Sequence, residues 1–307
     1  MRNNIYTIVI ILVVIITYNF PQYFIEVGDV KLTSLITPVL QIIMFGMGTT
    51  ITLNDFVGIV KTPKKVIIGV VLQFLVMPFW GFGIAYAFGF PPEIAAGIIL
   101  IGSSPSGLAS NVIAMLAKAN VALSITLTTF ATMLAPIMTP TLMQYLGGEF
   151  IDVDFLGMMW SMCKMVIIPV AFGFLLNRYT PKFVASIKKI LPLFSMAGIA
   201  YVIGTVTAAG HDSLSTVGAI LFLAVLIHNV GGYVFGYFAA RGIGMDERDS
   251  RTISIEVGMQ NGGLASALAV EMGKVATVGL ASAIFGPLMN VTGSLLASWW
   301  GKKEIKE

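Results

Sequence analysis

Ten apolar runs of roughly membrane-spanning length follow one another along this chain, with little between them. A helix needs about 20 mostly apolar residues to cross a bilayer. The runs lie near Ile5–Phe20, Leu35–Phe56, Lys64–Phe88, Glu93–Lys118, Val121–Leu146, Phe155–Leu176, Ile187–Ala208, Leu214–Ala240, Glu247–Met272 and Val275–Trp300. They predict an all-α membrane protein of ten transmembrane helices. Composition points the same way. Charged residues make up 11% of the chain, against about 25% in a soluble domain, so charge cannot cover its surface. The net charge of +3 gives no pointer to nucleic acid. Arg2 before the first run resembles the start of a signal peptide, but no small-residue cleavage site follows. The run is read as a retained first helix.

Basic residues fix the expected orientation. Arg2, Lys61, Lys64, Lys65, Lys118, Arg178, Lys182, Lys188, Lys189, Arg241, Arg248, Arg251, Lys302, Lys303 and Lys306 fall on one side, and only Lys31 and Lys274 on the other. The second side instead carries Glu26, Asp29, Glu93, Glu149, Asp152, Asp154, Asp212 and Glu271. Basic loops stay cytoplasmic, so both termini are expected inside. Adding or losing one interior helix would scramble this alternation. Five runs precede a connector near Gly147–Asp154 and five follow it. An odd number per half makes the second half inverted relative to the first.

The fourth and ninth runs have polar, glycine-rich centres. Glu256 to Ser266 reads Glu-Val-Gly-Met-Gln-Asn-Gly-Gly-Leu-Ala-Ser, and Ser103 to Asn111 reads Ser-Ser-Pro-Ser-Gly-Leu-Ala-Ser-Asn. Both contain Gly-Leu-Ala-Ser, at Gly107 and at Gly263. The offset, 263 less 107, is 156 residues, about half the chain. Breaks are expected around Pro105–Gly107 and Gly258–Gly263. Interrupted helices at matching positions of two halves point to the binding site of a transporter, near the bilayer midplane.

Glu256 is the only acidic residue deep in an apolar run. A charge there costs about 2.5 to 3.5 kcal/mol or more, so it needs a partner. Either it bonds another helix or it holds a cation, and intramembrane ionisable groups mark ion or substrate paths. No Lys or Arg lies at that depth except Lys164, which is expected to snorkel or to pair with a polar group. Oxygens for a hard cation are available from Glu256, Gln260, Asn111, Ser110, Gln73, Ser124 and Thr128. A zinc or copper cluster is not in view, with one cysteine and with His211 and His228 far apart. Sodium fits, and a proton is the alternative. Ser124 and Thr128 share a helix face, though such hydroxyls also bond their own i−4 carbonyls. Gln73 maps by the offset onto Asn229, and a buried amide can also glue helices together. His228 is read as an interhelical contact, Cys163 as packing, and Trp299 and Trp300 as an interfacial belt. The sequon at Asn290 lies inside the tenth run and is dismissed.

Glu256-Val257-Gly258-Met259-Gln260-Asn261, with Pro105 and Gly107-Leu108-Ala109-Ser110-Asn111-Val112, resembles the bile acid:sodium symporter family, and the resemblance covers essentially the whole chain. Ser103, Ser104 and Ser106 stand where members often have Cys, Cys and Gly, and Leu108 where some have Thr. The resemblance implies a panel of helices one, two, six and seven, here residues 1–63 and 148–210. It implies a core of helices three to five and eight to ten, residues 64–147 and 211–307, with the broken fourth and ninth helices crossing in it. It implies two sodium sites: Ser110, Asn111, Ser124, Thr128 and Glu256 in one, and Gln73, Glu256, Val257, Met259 and Gln260 in the other, with Val257 and Met259 contributing backbone oxygens. Substrate would meet Asn261, Asn290 and Leu108 in the crevice between core and panel.

The expectation is a sodium-coupled symporter of organic anions, bile-acid-like or smaller carboxylates, in the bacterial inner membrane, working by alternating access without a cofactor. Its rivals are a proton-coupled carrier using Glu256 and an intramembrane enzyme. The enzyme would want a DDxxD or HExxH motif, and neither is present. A receptor or channel does not predict two matched broken helices.

Overall fold

The computed structural model describes residues 2–188 and 190–303, with side chains from residue 8 on. Of the basic positions counted above, Lys189, Lys306 and the side chain of Arg2 lie outside the described residues. The described chain is helical throughout, apart from loops and one small hairpin. The helices are α1 (Arg2–Asn19), α2 (Ile36–Thr50), α3 (Leu53–Lys61), α4 (Pro63–Phe88), α5 (Pro92–Gly102), α6 (Ala109–Leu116), α7 (Val121–Leu146), α8 (Phe155–Met162), α9 (Ile168–Tyr179), α10 (Pro181–Ile187), α11 (Leu191–Ala209), α12 (His211–Gly242), α13 (Glu247–Gly258), α14 (Gly262–Glu271) and α15 (Val278–Gly301).

Among the described residues seven segments are long and apolar enough to cross a membrane. They contain α2, α4, α7, α8 with α9, α11, α12 and α15. The fourth and ninth runs are not single spans: each is two half-helices, α5 with α6 and α13 with α14. The second run also departs from expectation. Its helix stops at Thr50, because Thr52 and Asp55 form a capping box that starts α3 afresh. The Thr52 amide donates to Asp55 Oδ2 at 2.7 Å, and such a cap satisfies first-turn donors. The seventh run starts later than expected, at Leu191, and Pro181 opens the separate short helix α10 ahead of it. Between α8 and α9 lies a π turn, Cys163–Ile167. Pro169 lacks the amide that would bond the carbonyl four residues back, and such gaps loosen a helix there. The hairpin pairs Glu26–Val27 with Val30–Lys31, and Gly28 takes the left-handed φ that a tight two-residue turn requires.

Packing puts α13 in the interior. It lies along α12 and touches α4, α6 and α7, and every residue from Asp249 to Gly258 is buried. Helix α5 packs on α4, α15 and α7, while α2 packs on α9 and α1 on α11. Where α2 meets α9, a Cβ on Gly48 would strike the backbone of Val170. Small residues permit this close approach.

The N-terminal end of α13 is pinned to α7. The Asn120 amide donates to Thr252 Oγ1 at 2.9 Å, and Asn120 Nδ2 to Asp249 Oδ1 at 2.8 Å. Lys65 pairs with Asp249 from α4. Buried Arg251 donates to Glu247 Oε1 at 2.8 Å and to the carbonyls of Ala117 and Trp300. These contacts fix the register of α13 against α7 and lead directly to the next turn of both helices.

Candidate functional site

Ser124 lies four residues after Asn120, and Glu256 four after Thr252, so the two meet one helical turn further in. Ser124 Oγ is 2.5 Å from Glu256 Oε1. Thr128, one turn on along α7, donates to Glu256 Oε2 at 2.9 Å. Ser110 Oγ lies 3.3 Å from Thr128 Oγ1, and Asn111 Oδ1 lies 2.8 Å from Ser124 Oγ. All five residues expected around the first sodium site are therefore gathered at one place. Glu256, Ser110, Ser124 and Thr128 are buried there.

The chemistry of the cluster is that of a hard-cation site. Ser124 has one hydroxyl proton, yet its oxygen faces two acceptors, Asn111 Oδ1 and Glu256 Oε1. Thr128 likewise faces Glu256 Oε2 and, at 3.0 Å, the Ser124 carbonyl. The two hydroxyl protons of Ser124 and Thr128 thus face four acceptor contacts. Among the described residues no Lys or Arg is in the cluster: Arg251, the nearest basic residue along α13, is held by Glu247 and two carbonyls. A cation resolves both imbalances, since it meets several oxygens at once and neutralises the carboxylate.

The two helix breaks meet beside this cluster. Ser106 pairs with Gln260 in an isolated antiparallel bridge, and the Asn261 amide donates to the Pro105 carbonyl at 2.8 Å. A Cβ on Gly107 would press within 3.2 Å of the Gln260 carbonyl, so glycine admits the crossing. Gln73 Nε2 donates to Gln260 Oε1 at 2.6 Å and to the Ser104 carbonyl at 2.9 Å. Gln260 Nε2 donates to the Val257 carbonyl at 2.8 Å. Gln73 Oε1 is buried and meets no donor among the described residues. An orphaned carbonyl oxygen at this depth is costly, and a second cation would satisfy it. Gln73, Gln260, Val257 and Met259 are all buried at this junction.

The residues expected to touch substrate are less concentrated. Asn261 spends its Oδ1 on the Leu264 amide, 3.1 Å away, as the N-cap of α14. Asn290 Nδ2 donates to the Gly286 carbonyl of its own helix at 2.7 Å. No hydrogen bond joins Asn290 to Asn261 among the described residues. Leu108 opens α6, packed against the interior with part of its surface free. Lys164 lies exposed in the π turn, its ammonium in no ion pair among the described residues, and its carbonyl accepts from Gln41 Nε2 at 3.3 Å. His228 is buried and contacts the Met77 carbonyl through Nε2 at 2.9 Å. Lys303 lies over the Trp299 ring, 3.5 Å from its centroid.

Sequence reasoning missed Ser106. Its hydroxyl donates to Glu256 Oε2 at 2.5 Å, as close as any group in the cluster. The available signal was a third serine inside the first break, beside Ser103 and Ser104. Also missed was Thr292, which donates to Asn229 Oδ1 at 2.6 Å.

The chain is similar to known sodium-dependent transporters. The profile of the sodium bile acid symporter family matches residues 37–217. The chain is 39% identical over 298 residues to the uncharacterized sodium-dependent transporter YocS of Bacillus subtilis, covering 97% of this chain and 91% of that protein. It is 37% identical over 268 residues to the probable chloroplastic sodium/metabolite cotransporter BASS1 of Arabidopsis thaliana, covering 87% of this chain and 67% of the relative. A probable chloroplastic sodium/metabolite cotransporter of rice, BASS2, is 35% identical over 273 residues, covering 89% of this chain and 65% of the relative.

Proposed function

The chain belongs to the sodium bile acid symporter family, and from that premise we propose that it carries an organic anion across the bacterial inner membrane together with sodium, by alternating access. It is a transporter, not an enzyme. The observation that carries the reading is the excess of acceptor oxygens around buried Glu256 at the crossing of two broken helices. One sodium ion sits among Ser110, Asn111, Ser124, Thr128 and Glu256. A second sits among Gln73, Glu256, Gln260 and the carbonyls of Val257 and Met259.

The proposed architecture is two inverted repeats of five spans, with both termini cytoplasmic. Its support is the register of the helices. Adding 156 to Pro92–Gly102 gives 248–258, beside α13 at Glu247–Gly258. Adding it to Val121–Leu146 gives 277–302, beside α15 at Val278–Gly301. The core is 64–147 with 211–307, and the panel is 1–63 with 148–210. The packing of α2 on α9 and of α1 on α11, apart from α13, favours that division.

Anionic substrate follows from the junction. The first turns of α6 and α14 start at the crossing, and helix N-termini favour negative charge. Bound sodium adds to that field. Substrate lies in the core–panel crevice beside Leu108, Asn261 and Asn290. Between the two proposed units Glu271 meets Thr37 and Ser161.

Thermal-shift titration of the purified protein with a panel of carboxylates and sterol-like anions tests this. Sodium raises the melting temperature where choline does not, and a substrate anion adds stability only in sodium. A ligand at 100 times its Kd contributes about 2.7 kcal/mol, which such a titration resolves. Uptake driven by a pH gradient in sodium-free buffer would replace this reading with Glu256 as a proton carrier.

A further inference from the structure

Ser106 is held by its backbone. Its bridge to Gln260 fixes the strand-like segment between α5 and α6. On one side the Pro105 carbonyl accepts the Asn261 amide at 2.8 Å. On the other, Gly107 lies against the Gln260 carbonyl too closely for a larger residue to sit unstrained. With three consecutive residues set this way, the Ser106 side chain has one direction left. It points at Glu256 Oε2, 2.5 Å away, and is 98% buried (2% exposed). The hydroxyl is therefore delivered by the break itself, independently of α7, which supplies Ser124 and Thr128.

A serine hydroxyl has one proton and two lone pairs. While the proton goes to Glu256, a lone pair remains for a third group in the same cavity. The cluster that lacks protons for its acceptors is thus also one into which Ser106 presents a free lone pair. We infer that Ser106 is a direct ligand of the sodium ion bound beside Glu256, in addition to Ser110, Asn111, Ser124 and Thr128. The inference rests on the proposed reading of that cluster as a sodium site. It also gives the site a structural partner. Ser106 touches Glu256 with its side chain and Gln260 with its backbone, so one residue spans both cation positions. Gln73, which reaches Gln260, also holds the carbonyl of Ser104 two residues before it.

The ligand role differs from a packing role in what it requires of the side chain. A ligand needs an oxygen, whereas a filler needs only volume. Ser106→Ala removes the oxygen, Ser106→Cys keeps the volume but substitutes a soft sulfur ill-suited to sodium, and Ser106→Thr keeps the hydroxyl. The four forms, wild type included, are compared by sodium titration of the melting temperature and by sodium dependence of uptake in proteoliposomes, with Glu256→Gln alongside. The expected result is a half-saturating sodium concentration raised about tenfold in Ser106→Ala and Ser106→Cys, the scale of one charge-assisted contact. Ser106→Thr stays near wild type. A lowered melting temperature in sodium-free buffer with an unchanged sodium midpoint would make Ser106 a packing residue and overturn the inference. Unchanged midpoints in Ser106→Ala and Ser106→Cys, with sodium response lost in Glu256→Gln, would overturn it while leaving the sodium site standing. A sodium response retained in Glu256→Gln would remove the site, and the inference with it.

Discussion

The side-chain amide of Asn229 donates to the carbonyl of Gly258 at 2.8 Å and so closes the last turn of α13 from a neighbouring helix. Gln73 does the same at the first break, donating to the Ser104 carbonyl at 2.9 Å. Helix ends leave carbonyls without intrahelical partners, and in a bilayer water cannot supply the donors. Each break therefore needs an amide brought from elsewhere, and α4 and α12 each bring one.

Asn229→Ala strips the donor from Gly258 and leaves the Thr292 hydroxyl to the Leu288 and Met289 carbonyls of its own helix. An unsatisfied buried polar group costs about 1 to 3 kcal/mol. The melting temperature of the purified protein in sodium-free buffer should fall accordingly. Thr292→Val, which removes only the second bond, should cost less. Equal stability of Asn229→Ala and wild type would mean that the amide is idle.

Glu256→Gln keeps the shape of the side chain but removes the charge that balances cations. Stabilisation by sodium should vanish in this variant, since Glu256 is shared by both proposed ions. Ser124→Ala should instead weaken one ion, leaving a residual sodium-dependent shift. The measurement is melting temperature against sodium concentration for the three proteins. A full sodium response in Glu256→Gln contradicts the shared carboxylate.

Two sodium ions carried with one monovalent anion move one net positive charge inward. At 100 mV, inside negative, this contributes about 2.3 kcal/mol to uptake. Uptake into proteoliposomes should rise with a potassium-valinomycin potential, negative inside, and depend sigmoidally on sodium. Indifference to voltage would point to a neutral stoichiometry.

Glu271 at the end of α14 meets Thr37 of α2 at 3.3 Å and Ser161 of α8 at 3.2 Å. If the panel slides past the core, these contacts must break when the outer side opens. A double variant, Thr37→Cys with Glu271→Cys, joined by a short thiol cross-linker, should stop transport, and reduction or cleavage of the linker should restore it. Continued transport by the cross-linked protein would rule out motion between these two elements.

The helical class and the interior spans were legible because apolar length is a local property. Val121–Leu146 was expected at the limits where α7 is found, flanked by Asn120 as cap and by two glycines. The glycines and asparagine around Gln260 marked the second break in the same way. The stop at Thr50 was not legible, since the capping box of Thr52 and Asp55 sits inside a run that is apolar on both sides. Nor was the role of Ser106. Its side chain is aimed by backbone pairing with Gln260, and no local pattern in Ser103–Ser106 reports which of its three serines reaches Glu256. Asn290 shows the opposite limit: its amide was assigned to substrate, and in this conformation bonds its own helix at Gly286.

The bridge between Ser106 and Gln260 has a consequence for how the protein is made. Ser106 and Glu256 are 150 residues apart in the chain, so a ribosome has released the first break long before it synthesises the second. Contacts of such separation form late in folding. A nascent chain ending after α7 has its hydroxyls in place but lacks the carboxylate, and one ending before α13 has no partner for the Pro105 carbonyl. The oxygen cage is thus assembled by the last third of the chain docking onto the middle third. A chain truncated before α13 therefore lacks both the carboxylate and the partner of the first break.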